Sequence, residues 1–253
     1  VDKEDRRILK AAAIMPESAG LRPWREVLRP HEDVATGNFH AAEFAADLSL
    51  VAKGDTQIEK DYVDPVCFFE RTYLTDGLRD LITRVVKRLT GDPNASPVIN
   101  LQTNFGGGKT HAMLALWHLA SGTPRTAYPQ DLQDLLAATP FDAIRDVRRV
   151  ALVGTQLRAD GSSKGGGIHV NTMWGELAWQ LGGREAFEIV AASDASSTPP
   201  GESLHRLLAE YAPAVILIDE WVAYARTLFA RSDLAAGTFD DQFTFAQSLT
   251  EAA

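Results

Sequence analysis

Residues 103–110 read TNFGGGKT, and the fold turns on whether this is a phosphate loop. The pattern GxxxxGK[ST] cradles phosphates with successive backbone N–H groups, a lysine and a hydroxyl. Gly108, Lys109 and Thr110 fit it, while Thr103 stands where the first glycine belongs. That first position serves the turn out of the preceding strand, where a residue with ordinary dihedrals is tolerated. Gly106 and Gly107 supply freedom nearer the phosphates, and Asn104 suits a turn. The departure weakens the motif and leaves its chemistry in place.

The context agrees. PVINLQ, residues 97–102, is a short apolar run after the turn GDPNASP and reads as a buried strand. HAMLALWHLASG after the loop is apolar on most sides and reads as a buried helix. Strand, glycine loop and helix put the helix N-terminus at the anion.

A second element lies downstream. AVILIDE, residues 214–220, is the most apolar strand of the chain and ends in Asp219 and Glu220. In that place Asp219 holds Mg²⁺, directly or through water, and Glu220 acts as general base on an attacking water. The simpler reading is that the two acids cap the helix starting at Trp221. With TNFGGGKT upstream, a nucleotide site is the stronger reading.

The rest of the chain follows a βα rhythm. Leu78, Leu81, Ile82, Val85 and Leu89 recur at helical spacing over 76–90, and RVALVGT (149–155) is another apolar strand. Helices are expected at Trp24–Leu28, Ala41–Leu50, 129–138, 141–147, 172–181, 202–211, 221–232 and 240–253. Gly182 and Gly183 would end the fifth of these, and 53–66 and 159–167 read as loops. Lys164 precedes the glycines of ADGSSKGGG, so that loop does not read as a second phosphate site. Continuous apolar strands alternating with helices indicate a parallel sheet covered on both faces. The expectation is an α/β, three-layer P-loop NTPase fold over 76–253, incomplete at its C-terminal end, after a mainly helical segment at 1–75.

Composition narrows the class. The 253 residues are 45% hydrophobic and 23% charged, with net charge −9, so bulk charge does not recruit nucleic acid. The basic face of Arg84, Lys87 and Arg88 reads as solvated. Cys67 is the one cysteine, in an apolar setting that suits the core; a disulfide framework is excluded. No apolar run approaches the about 20 residues of a membrane span, and VDKEDRRILK lacks a signal peptide's apolar stretch. A cytoplasmic protein is expected, with no membrane partner. His31 and His40, with Glu32, Asp33 and Glu43 nearby, lack tight metal-ligand spacing. Phe68, Phe69 and Tyr73 read as core packing rather than as neighbours of a base. Trp221 reads as packing too.

Five stretches carry a closer resemblance: WREVLRPHEDVATGNFHAAEFAADL (24–48), DPVCFFERTYLTDGLRDL (64–81), QTNFGGGKTHAMLALWHL (102–119), TMWGELAWQLGG (172–183) and AVILIDEWVAYAR (214–226). Over about residues 21–253 the chain resembles a family of large predicted AAA+-type P-loop ATPases, long labelled a domain of unknown function. Its members are often encoded beside DNA methylases and phage-defence genes, and TNFGGGKTH with Thr in the first place is their usual form. The resemblance implies the N-terminal ATPase part of a longer protein and a homo-oligomer or larger complex. It also implies a further strand that follows AVILIDE in sequence, lies between it and the phosphate-loop strand, and carries a sensor residue; neither that nor an arginine finger is evident here.

The expected function is ATP hydrolysis driving conformational work on a macromolecule, with DNA in a defence or modification system as the anticipated target. Thr103, Asn104, Phe105, Gly106, Gly107, Gly108, Lys109, Thr110 and His111 would bind ATP. Thr110 and Asp219 would hold Mg²⁺. Lys109 and Glu220 would be catalytic. The alternative is an ATP-binding switch or scaffold with little turnover.

Overall fold

The computed structural model describes residues 22–29, 35–36, 47–54, 60–102, 108–144 and 146–253. The chain divides into two compact units, Val1–Phe44 and Ala45–Ala253. In the first, α1 (Trp24–Val27) is a single exposed turn. The second carries the elements that follow.

Its centre is a small parallel sheet. Strand β1 (Arg148–Val153) pairs with β4 (Ala214–Asp219), in register from Arg148 opposite Ala214 to Val153 opposite Asp219. Both runs are continuously apolar because both faces are covered. Val150 and Leu152 pack with α8 (Met173–Ala195), α9 (Glu202–Glu210) and α11 (Phe239–Ala252). Ala151, Val215 and Leu217 pack on the other side with α2 (Leu48–Lys53), α4 (Pro65–Glu70), α5 (Asp76–Leu89), α6 (Lys109–Leu119) and α7 (Gln130–Ala137). Alternate strand residues thus serve opposite clusters, as the pleat dictates.

The outer edge of β1 is closed by a side chain. Ala151 N–H donates to Gln180 Oε1 at 2.9 Å, and Gln180 Nε2 donates to Ala151 O at 3.1 Å. One amide from α8 satisfies both backbone groups that a neighbouring strand would otherwise take.

Several expectations need correction. PVINLQ forms no strand. Ile99 and Leu101 do pack on the apolar cluster. However, Ser96 Oγ donates to Val98 O (2.8 Å) and accepts from Val98 N–H (3.4 Å), a local bond that competes with a ladder. The 53–66 stretch contains α3 (Lys60–Val63) and the start of α4, where Asp64 accepts from Val66 and Cys67 N–H at 2.9 and 3.0 Å. Gly182 and Gly183 end the first helical segment of α8 as expected, with non-helical backbone at φ −161°, ψ 25° and φ 63°, ψ −139°, and a second segment follows directly to Ala195. A Cβ at Gly182 would overlap the Tyr211 ring, so glycine is needed there for close packing. Phe141–Ala143 is a single 3₁₀ turn, and the helix after β4, α10 (Trp221–Thr227), is shorter than expected. The 159–167 loop belongs to a short hairpin, β2 (Ser162–Ser163) with β3 (His169–Val170). Its Lys164 Nζ lies 2.7 Å from Glu176 Oε2. Among the described residues, no helix is long and apolar enough to cross a membrane.

The helix over 76–90 follows expectation. Thr75 caps α5 through its hydroxyl, which accepts from Leu78 N–H, and Leu78, Leu81, Ile82 and Val86 are buried. On its basic face Arg84 pairs with Asp80, and Arg88 donates to Ala253 O at 2.8 Å.

Candidate functional site

Helix α6 starts at Lys109. Its N-cap, Gly108, sits in the left-handed region (φ 75°, ψ 19°) and offers no side-chain cap to the first-turn N–H groups. An uncapped helix start favours an anion. Thr110, in that first turn, is half-buried, and its Oγ1 donates to Asp219 Oδ2 at 3.0 Å. Asp219 ends β4 and is 9% exposed. Its Oδ1 accepts the Glu220 N–H at 3.0 Å.

Glu220 is exposed and occupies the N-cap of α10 (Trp221–Thr227) without a side-chain cap bond. The simpler reading, that its carboxylate caps this helix, is therefore not what the chain does. Its backbone is left-handed at φ 51° and ψ 34°, a conformation that costs a non-glycine residue free energy. Neighbours hold it there. Asp219 O accepts Gly154 N–H at 2.8 Å, and Glu220 O accepts Ala223 N–H at 3.0 Å. A Cβ at Gly154 would overlap the Glu220 carbonyl oxygen and stand 3.1 Å from Tyr224 Cβ. Only glycine at the tip of β1 admits the Glu220 peptide. Sequence reading missed Gly154; the signal was its place directly after an apolar strand.

His111, expected to contact the nucleotide, hydrogen-bonds Thr72. Thr72 Oγ1 donates to Phe68 O at 2.7 Å, so the 3.0 Å contact with His111 Nε2 has the imidazole as donor. The His111 ring lies 4.7 Å from that of Phe68, and burial lowers its pKa, keeping it neutral near pH 7. His118, two turns further along α6, has its ring 4.9 Å from that of Phe68 and donates to Tyr62 O at 3.0 Å. Helix α6 is thereby fastened near both ends to residues 62–72. Thr72 was not singled out from the sequence, because a bond spanning 39 positions leaves no local signal.

Thr103–Gly107 lie outside the described residues, as do His31, His40, Glu32, Asp33 and Glu43. Among the described residues no group of three or more His, Cys, Asp or Glu side chains could hold a metal. One hydroxyl and one carboxylate oxygen 3.0 Å apart nevertheless suit Mg²⁺. That ion takes few protein oxygens and completes its shell with water and phosphate.

The DUF499 N-terminal domain family matches residues 24–252. The chain belongs to this family. The match takes in both halves of the site, Gly108–Thr110 at the start of α6 and Asp219–Glu220 after β4, so the DUF499 domain and the candidate site coincide. No curated protein and no solved structure matches this DUF499 chain. Cys67 of the domain is half-buried in α4, and Trp221 packs by its ring against Phe245, 6.0 Å away.

Proposed function

We propose that this DUF499 domain binds ATP with Mg²⁺ and hydrolyses it, as a P-loop ATPase of the AAA+ type. The observation that carries the reading is the Thr110–Asp219 bond. It joins an uncapped helix start, preceded by glycines and carrying a lysine, to the acidic end of a buried parallel strand. Phosphate binding and metal binding then share one place.

In this reading the first-turn N–H groups of α6 and Lys109 hold the β- and γ-phosphates. Thr110 and Asp219 hold Mg²⁺, which neutralises charge developing on the phosphates. Glu220, exposed beside Asp219, accepts a proton from the attacking water. The buried parallel strands and the helices on both faces support a three-layer P-loop NTPase core. Work on a macromolecule, with DNA as the first candidate, and assembly into an oligomer are parts of the same proposal by family analogy.

Phosphate release from ATP by the protein and by Glu220→Gln tests the claim. Turnover should fall at least a hundredfold in the variant, with Mg²⁺–ATP affinity kept within a few-fold. Equal, slow turnover in both would instead favour an ATP-binding switch.

A further inference from the structure

Of the aromatic trio read as core packing, Phe68 and Phe69 are buried and Tyr73 is exposed. Phe68 also meets the helix that opens the candidate site. Its ring centroid lies 4.7 Å from that of His111 and 4.9 Å from that of His118. These histidines are about two turns apart and share one face of α6, which lies against α4.

Thr110 serves a different side. Successive residues of a helix are about 100° apart around its axis. Thr110 Oγ1 reaches Asp219 at the end of β4, 3.0 Å away, while His111 Nε2 reaches Thr72 Oγ1, also at 3.0 Å. The first turn of α6 is therefore held on two sides by consecutive residues. The second bond, in a different direction, resists the roll of the helix start that the first permits.

The Thr72 anchor is itself fixed. Thr72 is buried, its hydroxyl donates to Phe68 O at 2.7 Å, and its N–H donates to Phe69 O at 3.2 Å. With that hydroxyl proton committed, the oxygen can only accept from His111. A hydrogen bond and the Phe68 ring contact together orient the imidazole.

We propose that His111 is a positioning residue for the nucleotide site: by holding Thr72 it sets the rotation of the first turn of α6 and so brings Thr110 Oγ1 to Asp219. The inference rests on the nucleotide reading above and deepens it. His111 acts through Thr110 and touches neither phosphate nor base. A misplaced Thr110 would be costly, because Mg²⁺ demands near-ideal geometry from its oxygens.

The test is titration of ATP, with Mg²⁺ and with the metal chelated, into wild type, His111→Ala, Thr72→Val, Thr72→Ser, the double variant His111→Ala with Thr72→Val, and Lys109→Ala. Circular dichroism checks that each is folded. The readout is the gain in ATP affinity that Mg²⁺ confers, which a mere loss of stability does not move in a folded protein. His111→Ala and Thr72→Val should each cut that gain about fivefold, the worth of one hydrogen bond, and leave affinity in chelator unchanged. The double variant should lose no more than either single one, since both remove the same bond. Thr72→Ser keeps the hydroxyl and should match wild type. Thr72→Val keeps the side-chain shape and the imidazole, so it carries the test even if His111→Ala does not fold. An unchanged gain in Thr72→Val, or equal losses with and without Mg²⁺, overturns the positioning role while the nucleotide reading stands. Wild type that binds no ATP in either condition, or Lys109→Ala that binds as well as wild type, overturns the nucleotide reading and the positioning role with it.

Discussion

Thr110 and Asp219, 109 positions apart, are joined by a hydrogen bond of 3.0 Å. One sits in the first turn of a helix and the other at the end of a strand, so only the tertiary fold brings them together. If both hold Mg²⁺, Thr110→Ala and Asp219→Asn should each lose about tenfold or more in ATP affinity with Mg²⁺ present, the worth of one charge-assisted contact. With the metal chelated, affinity should match wild type. Calorimetric titration in the two conditions checks this, and equal losses with and without Mg²⁺ would place these residues elsewhere in the mechanism.

Gly154 admits the left-handed Glu220 peptide because it lacks a Cβ. Gly154→Ala should force the two strand tips apart at a cost of about 1–3 kcal/mol. For a chain of this size the melting midpoint should fall by roughly 2–4 °C per kcal/mol. ATP turnover should fall more than ATP affinity. In the Glu220→Gln background the same substitution should remove no further activity.

The hydrogen-bonded Asp194 ties the β3–α8 junction to the far end of α8. It is 1% exposed and accepts from the backbone N–H groups of Asn171 and Thr172, from Thr172 Oγ1 (2.6 Å) and from Asn171 Nδ2 (3.0 Å). Asp194→Ala strands these donors and should cost about 3 kcal/mol or more. Urea unfolding would show it as a lower midpoint with an unchanged slope.

His118 supplies a pH dependence. Burial pushes its pKa down from 6.5 to about 4, and it is 1% exposed. Between those values the unfolded chain binds the proton and the folded chain does not. Stability is therefore full above pH 6.5 and falls as pH drops toward 4. The slope is about 1.4 kcal/mol per pH unit, on the order of 3 kcal/mol in all. His118→Gln keeps a donor for Tyr62 O and should flatten this part of the curve between pH 7 and 4.5. Parallel curves for the two proteins would remove His118 as the cause.

Much of the fold is legible in the sequence where side-chain pattern alone decides it. RVALV and AVILID are continuous apolar runs, and a parallel strand buried on both faces requires that. The spacing from Leu78 to Leu89 specifies α5. Legibility fails where backbone bonds are settled by one polar neighbour. Ser96 takes both backbone groups of Val98, and PVINLQ keeps its apolar anchors without becoming a strand. Asp64-Pro65 is a helix start, with a capping carboxylate before a proline at the first helical position, hidden inside a stretch that reads as loop. Gly182 and Gly183 read as a stop and do break the helix, but the sequence does not show that a second helical segment resumes directly after them, nor that the Tyr211 ring packs against Gly182.

The candidate site divides the same way. Lys109, Thr110, Asp219 and Glu220 stand out because their chemistry is written in adjacent letters. Gly154 and Thr72 do not, since each matters through one long-range contact, with the Glu220 carbonyl and with His111.

The most direct test of the central claim is a titration of Mg²⁺–ATP into wild type and Lys109→Ala. Wild type should bind saturably and in a Mg²⁺-dependent way, and the variant should lose at least about tenfold in affinity, both proteins being folded by circular dichroism. Equal affinity in the two proteins, or no binding by folded wild type, would contradict it.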